Sequence, residues 1–145
     1  MKIISFTWTT PALLAGAKTV TRRGWKPEYA ARFKAGDFIL AYDRSPRVHG
    51  MPVALLRLTR TPYFERVSQM PDSDFEAEGL KALGWTRQMF EQWRGTTGAL
   101  WVVRFEVIEL WPGGKPLINA KAHAEQHFRA QEQRDFAGLG FPEDL

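Results

Sequence analysis

The sequence predicts an α+β domain, a small mixed and mostly antiparallel β-barrel with helices around it. Three observations carry that expectation. Runs rich in β-branched and aromatic residues recur at 38–43, 53–59 and 100–111, two of them with clear period-two alternation. Short helical stretches lie between them and end at glycines such as Gly16, Gly36 and Gly84. No internal repeat, glycine-rich phosphate loop or Gly-X-Ser-X-Gly elbow interrupts the pattern. At 145 residues the chain reads as a single domain, 1–145, built around one core.

The bulk chemistry narrows the function classes. With 44% hydrophobic and 25% charged residues, the chain is far from the composition of disordered proteins. It has no cysteine, which removes disulfides, thiolate catalysis and sulfur-ligated metals together. No apolar run approaches a membrane span, and Met1–Trp8 lacks the apolar core and cleavage site of a signal peptide, so a cytoplasmic location is expected. A net charge of +4 inclines the chain toward phosphorylated or polyanionic partners, and is equally what solubility asks of a small domain.

Taken in order, Ile3–Trp8 reads as the first strand, with Ile4, Phe6 and Trp8 on its core face. Thr9 or Thr10 caps a short helix that accepts Pro11 in its first turn and ends at Gly16. After the segment Lys18–Arg23, Trp25-Lys-Pro27 restricts the backbone and a second short helix spans Glu28–Lys34. Phe38–Asp43 is a buried strand, Arg44–Gly50 a basic loop, and Val53–Thr59 the returning strand of a hairpin. From Ser68 the composition turns helical, with start signals at Pro71, Asp72 and Ser73 and a stop at Gly84; Thr86 caps another helix, Arg87–Arg94. Leu100–Trp111 is the clearest strand, and its phase slips at Val107-Ile108, the mark of a bulge or a barrel corner. Pro112–Pro116 turns the chain into an amphipathic helix, Asn119–Phe136, followed by a loose tail, Gly138–Leu145.

Charge is concentrated where a small domain has little reason to put it. Lys18, Thr19, Thr21, Arg22 and Arg23 stand directly behind the first helix. Two readings of this cluster are open. In one it is a solvated edge strand, blunted by its cations against aggregation. In the other it is a site, because a lysine crowded by Arg22 and Arg23 gives up its proton more easily, and a neutral lysine is a base for a threonine hydroxyl. A bend or bulge would bring Lys18 and Thr21 together. Further on, Asp72, Asp74, Glu76 and Glu78 occupy every second position, a spacing that spreads them around a helix as an acidic first turn. His123 and His127 are one helical turn apart but lack a third ligand, so they read as surface residues, and neither a metal nor a cofactor is expected.

The block Leu13-Leu-Ala-Gly-Ala-Lys-Thr-Val-Thr-Arg-Arg23, with Phe33-Lys-Ala-Gly-Asp37 and an apolar strand behind it, resembles the ASCH domain, a relative of the RNA-binding PUA domains. The resemblance runs from about Ile4 to Ile108. Within that family the chain is similar to small bacterial amidohydrolases that remove the acyl group from N4-acetylcytidine. These use a lysine as proton acceptor, a threonine as nucleophile and a glutamate as proton donor. The resemblance implies Lys18, Thr21 and Glu78 in those roles, with Glu76 as the neighbouring alternative to Glu78. Arg23 matches the family's arginine after the second threonine and is expected, with Arg22, to hold an acyl oxygen or a phosphate of the substrate. Trp25 and Tyr42, ahead of Trp8 and Phe33, are the aromatics expected to stack on the pyrimidine. The alternative implied by the PUA relationship is an RNA-binding module with ribonuclease activity, in which Lys18, Arg22, Arg23, Arg44 and Arg47 meet phosphates.

Overall fold

The computed structural model describes residues 2–113, 122, 125–127, 129 and 130. Six strands form its sheet: β1 (Lys2–Ser5), β2 (Val20–Arg23), β3 (Phe38–Tyr42), β4 (Pro52–Leu58), β5 (Tyr63–Arg66) and β6 (Ala99–Leu110). The α-helices are short: α1 (Thr10–Leu14), α2 (Pro27–Ala30), α3 (Asp74–Ala77) and α4 (Arg87–Arg94).

The longest β-type run in the sequence becomes the spine of the fold. One half of β6, from Phe105 to Leu110, pairs with β4, and the other half, Ala99–Val102, pairs with β5. Its opposite edge carries β2, with Thr21 across from Val103. The order is β1-β3-β4-β6-β2, antiparallel throughout except for the parallel pair β1 and β3. The phase slip expected at Val107-Ile108 is a bulge: Leu55 faces Glu109 while Leu56 faces Val107, leaving Ile108 unpaired. Such an insertion bends the strand and lets one sheet curl.

Inside the curl Ile4, Phe6, Leu13, Ile39, Leu56 and Phe105 form the main cluster. Full burial of a side chain such as Leu13 or Ile39 contributes about 1.5–3 kcal/mol. The other face of β3 carries a second cluster of Phe38, Leu40 and Tyr42 with Leu55 and Trp111, as alternation along a strand requires. A third cluster, Val67, Met70, Phe75, Leu80 and Phe90, lies among α3, α4 and the turns around them.

Several expectations are corrected here. The sheet is curled and mixed, but among the described residues β1 pairs only with β3 and β2 only with β6, so these strands do not close into a barrel. The first strand stops at Ser5 rather than Trp8, because Thr7 takes φ +46 and a 3-10 turn, Thr7–Thr9, follows. Trp8 therefore leaves the core face it was assigned to and is 58% exposed. The second helix ends at Ala30, since Asp37 Oδ2 accepts the Lys34 N–H at 2.9 Å and folds those residues into turns. The helical stretch expected between Ser68 and Gly84 holds only α3, because Gly79 at φ +82 breaks the helical path. Tyr63–Arg66 is a strand that the sequence pattern did not announce. The helix expected at Asn119–Phe136 falls largely outside the described residues, as do His123 and the tail. Among the described residues no helix is long and apolar enough to cross a membrane, and no group of three or more His, Asp or Glu side chains is placed to hold a metal.

Candidate active site

Lys18 is carried inward by the turn behind α1. Gly16 adopts φ +73, the Ala17 N–H donates to Ala12 O at 2.9 Å, and the Thr19 N–H donates to Ala77 O at 2.8 Å. These bonds tie the chain ahead of β2 to α1 on one side and to α3 on the other. Gly79 completes the approach: a Cβ there would stand 2.6 Å from Ala12 Cβ and 3.3 Å from Lys18 Cβ, so only glycine lets Glu78 come so close to Lys18.

The result is a buried ion pair. Lys18 Nζ donates to Glu78 Oε2 at 3.0 Å and to the Glu78 backbone oxygen at 2.8 Å, with Lys18 1% and Glu78 5% exposed. An ammonium has three donors. Both of these hydrogen bonds of Lys18 go to Glu78, and Thr21, also buried, lines the same cavity. Burial pulls the Lys18 pKa below its ordinary 10.5, Glu78 opposes the shift by charge and hydrogen bond, and Arg23 and Arg22 add to it.

Behind this pair lies a chain of alternating charges. Arg22 Nη1 donates to Glu78 Oε1 at 2.8 Å, and Nη2 reaches Glu65 at 3.0 Å and Asp74 Oδ2. Arg104 closes on Asp74 from the other side with two bonds, at 3.1 and 2.9 Å, and donates from Nε to Tyr63 OH at 3.0 Å. Burial lowers the pKa of Arg22, yet Glu78, Asp74 and Glu65 outweigh it and the guanidinium is held more firmly charged than usual. Arg104 is likewise pushed up: burial works against its charge, and its bonds to Asp74 and Tyr63 prevail.

Arg23 is different. Burial lowers its pKa while the charge of Glu78 opposes the shift, its Nε is buried without a hydrogen-bond partner, and its guanidinium sits 5.4 Å above the Phe6 ring with no ion pair within 4 Å among the described residues. Lys18, Thr21, Arg22, Arg23 and Glu78 share one cavity of about 340 Å³. Its remaining wall includes Phe6, Leu80 and three tryptophans, Trp8, Trp85 and Trp93.

Five of the seven sequence-derived site residues therefore converge. Lys18 precedes β2 instead of alternating within it, which is how it and Thr21 reach the same cavity. The two aromatics placed first for stacking do not join them. Tyr42 has the parity of Phe38 and Leu40 and is buried on the other face of the sheet. Trp25 stacks on Phe33 at 4.5 Å and meets Tyr29 edge-on, packed against the main cluster. Glu76 lies outside the pair as well: its side chain is 74% exposed and bridges to Lys81, on a separate groove of about 640 Å³.

Asp74, Arg104, Trp85 and Trp93 were not singled out by the sequence. A signal for Asp74 was present: in the run of alternate acids, Asp74 and Glu78 are four residues apart and share a helical face, whereas Asp72 and Glu76 share another. The structure buries the first two and exposes the second two.

The molecule is thus an α+β domain whose curled sheet supports a buried lysine–glutamate pair beside a threonine in a small cavity. No family model and no curated protein matches the sequence. Among solved structures the chain is similar to ASCH from Zymomonas mobilis, at 17% identity and a TM-score of 0.48, over 76% of this chain and 68% of that one. It is also similar to protein EF3133 from Enterococcus faecalis V583, at 17% identity and a TM-score of 0.49, over 76% of this chain and 77% of that one. At these identities the likeness is one of fold alone.

Proposed function

We propose that the protein is an amidohydrolase that removes the acyl group from the exocyclic nitrogen of N4-acylated cytosines such as N4-acetylcytidine. The observation that carries this reading is the buried Lys18–Glu78 pair at 3.0 Å on a cavity that Thr21 lines. A solvated edge strand would leave Lys18 in water; here it is withdrawn from water and coupled to an acid.

The pair is arranged for proton transfer. One proton passed from Lys18 Nζ to Glu78 Oε2 gives a neutral amine and a neutral acid, and the burial that lowers the Lys18 pKa favours release of that proton. The amine then takes the Thr21 hydroxyl proton as Oγ1 attacks the acyl carbon. The carbon–nitrogen bond breaks, the departing exocyclic nitrogen takes the proton from Glu78, and the acyl group is left as an ester on Thr21. Water hydrolyses the ester, giving up a proton to restore the resting site, so that the products are a carboxylic acid and cytidine. Arg23, on the wall of the same cavity, offers a guanidinium to the acyl oxygen as negative charge develops there. Arg22 acts through Glu78: it fixes Oε1 and leaves Oε2 for the proton.

The same geometry weighs against an RNA site built on these cations. Lys18 and Arg22 are neutralised by buried carboxylates, and Arg44 and Arg47 stand exposed on a loop outside the cavity. Turnover of a neutral nucleoside is expected to change little with salt, whereas phosphate binding falls steeply.

The direct test follows the ultraviolet absorbance of N4-acetylcytidine with purified protein. Wild type is expected to convert it to cytidine and Thr21→Ala to leave it intact. A well-folded wild type without turnover overturns the reading, and a fully active Thr21→Ala protein removes the nucleophile.

The pH profile gives a separate prediction. The active pair holds one proton between Lys18 and Glu78, so kcat/KM is expected to fall at high pH, as Lys18 gives that proton up, along a limb whose apparent pKa lies below the ordinary 10.5. Glu78 raises the Lys18 pKa by charge and hydrogen bond, so in Glu78→Gln, where no acid shares the proton, the residual activity is expected to rise with pH instead, along a limb at lower pH than the wild-type fall. A limb at the same or a higher pH excludes Lys18 as the titrating group.

A further inference from the structure

We propose that Trp8, Trp85 and Trp93 form the subsite for the planar ring of the ligand, with Trp8 as the residue that stacks on it. The proposal rests on the acylcytosine reading for the identity of the ring, and on the geometry below for the subsite itself.

The three tryptophans come from two places in the chain and meet at the same cavity. Trp85 and Trp93 are half-buried against the third cluster and touch edge-to-face, with centroids 6.2 Å apart and planes at 72°. They form a supported wall. Trp8 lies nearly parallel to Trp85, at 17° and a centroid distance of 6.2 Å, yet remains 58% exposed. Isolated exposed apolar residues are ordinary on any surface. An exposed indole on the wall of a cavity, aligned with a second indole, presents a π-face to whatever enters.

The backbone under Trp8 is held in that position against its local preference. Thr7 is β-branched and adopts φ +46, a region such residues disfavour. The turn is clamped at Phe6, which is 1% exposed, donates its N–H to Tyr42 O at 2.8 Å, and accepts both the Thr9 hydroxyl at 2.7 Å and the Thr9 N–H at 3.0 Å. Backbone strain persists where surrounding contacts impose it, and it gathers at ligand sites. Here it delivers Trp8 to the cavity instead of to the core.

The ligand class follows from what the cavity offers. Its aromatic wall takes a flat ring. Arg23, a cavity residue with no ion pair within 4 Å among the described residues, carries donors and no acceptor, so it selects a ring whose substituents or edge present acceptors. A cytosine acylated on its exocyclic nitrogen has both, with acceptors at the ring carbonyl, the ring nitrogen and the acyl oxygen.

The test is calorimetric titration of N4-acetylcytidine into Thr21→Ala protein and into the same protein carrying Trp8→Leu or Trp8→Phe. Leucine keeps an apolar cover and removes the π-face; phenylalanine keeps a π-face. Stacking on an aromatic predicts a Kd about tenfold or more higher with leucine and within about threefold of the parent with phenylalanine. Trp8 is on the surface, and circular dichroism checks that each variant is folded. Equal affinity in all three proteins, or equal loss in both Trp8 variants, overturns the subsite. Wild-type turnover without the leucine–phenylalanine difference sinks the subsite and spares the chemistry. Binding that shows the difference in a protein without turnover supports the subsite and removes the hydrolase reading. Absence of binding at millimolar ligand overturns both.

Discussion

Lys18→Ala is expected to lose turnover of N4-acetylcytidine by about 10³-fold or more, and to regain part of it when a small primary amine such as ethylamine is added. The substitution removes the base and leaves a void where Lys18 was buried. It does not strand Glu78, whose Oε1 keeps the Arg22 Nη1 hydrogen bond at 2.8 Å. Loss of activity therefore reports the missing amine more than a collapsed site. Initial rates by ultraviolet absorbance, with circular dichroism as the folding control, decide the matter. Full activity without Lys18 overturns its role as base. Loss that no amine restores, in a protein whose melting is also broad and early, assigns Lys18 to the architecture of the cavity instead.

The second large effect concerns stability. Asp74→Ala is expected to cost about 3–5 kcal/mol, because it strips two guanidinium groups, Arg22 in the interior and Arg104 at its partly exposed edge, of a shared buried partner. Asp74 is 0% exposed and accepts from Arg22 and from both terminal nitrogens of Arg104. Arg22 keeps Glu65 and Glu78, so the heavier loss falls on Arg104, which is left with the Tyr63 hydroxyl. Urea unfolding at neutral pH measures the change directly. A loss below about 1 kcal/mol would mean that solvent enters the network and screens it.

Much of this architecture can be seen in the sequence, for identifiable reasons. β6 declares itself because a long run of alternating residues has no competing interpretation, and even its bulge shows as a break in phase. Lys18, Thr21 and Arg23 stand out because charge packed behind a glycine-terminated helix is chemically unusual. Other features depended on tertiary contacts. Trp8 follows the alternation of a strand, and only the backbone of Thr7 removes it from that strand. Tyr42 is aromatic and close in sequence to basic residues, but one-residue parity sends it to the opposite face of β3. The helix boundary at Gly79 was hidden because a lone glycine inside a helical pattern is often tolerated. What makes it decisive is the approach of α1, a partner more than sixty residues earlier in the chain.

The charge network also acts on alignment. Arg22 is 52 residues from Asp74, and Asp74 is 30 from Arg104, so none of the three can neutralise itself with near neighbours in sequence. β2 is only four residues long and borders a single strand, which gives its backbone little power to choose among possible offsets against β6. A slip of one position would exchange the two faces of the strand, turning Arg22 toward the apolar interior and Thr21 away from it. Asp74, Glu65 and Glu78 would lose the cation that joins them, and the interior would exchange Arg23 over Phe6 for Arg22. A short strand is thereby kept in the alignment that puts Thr21 on the cavity Lys18 lines, and the wrong offset is rejected by an electrostatic penalty that the hydrogen bonds of the sheet alone do not impose.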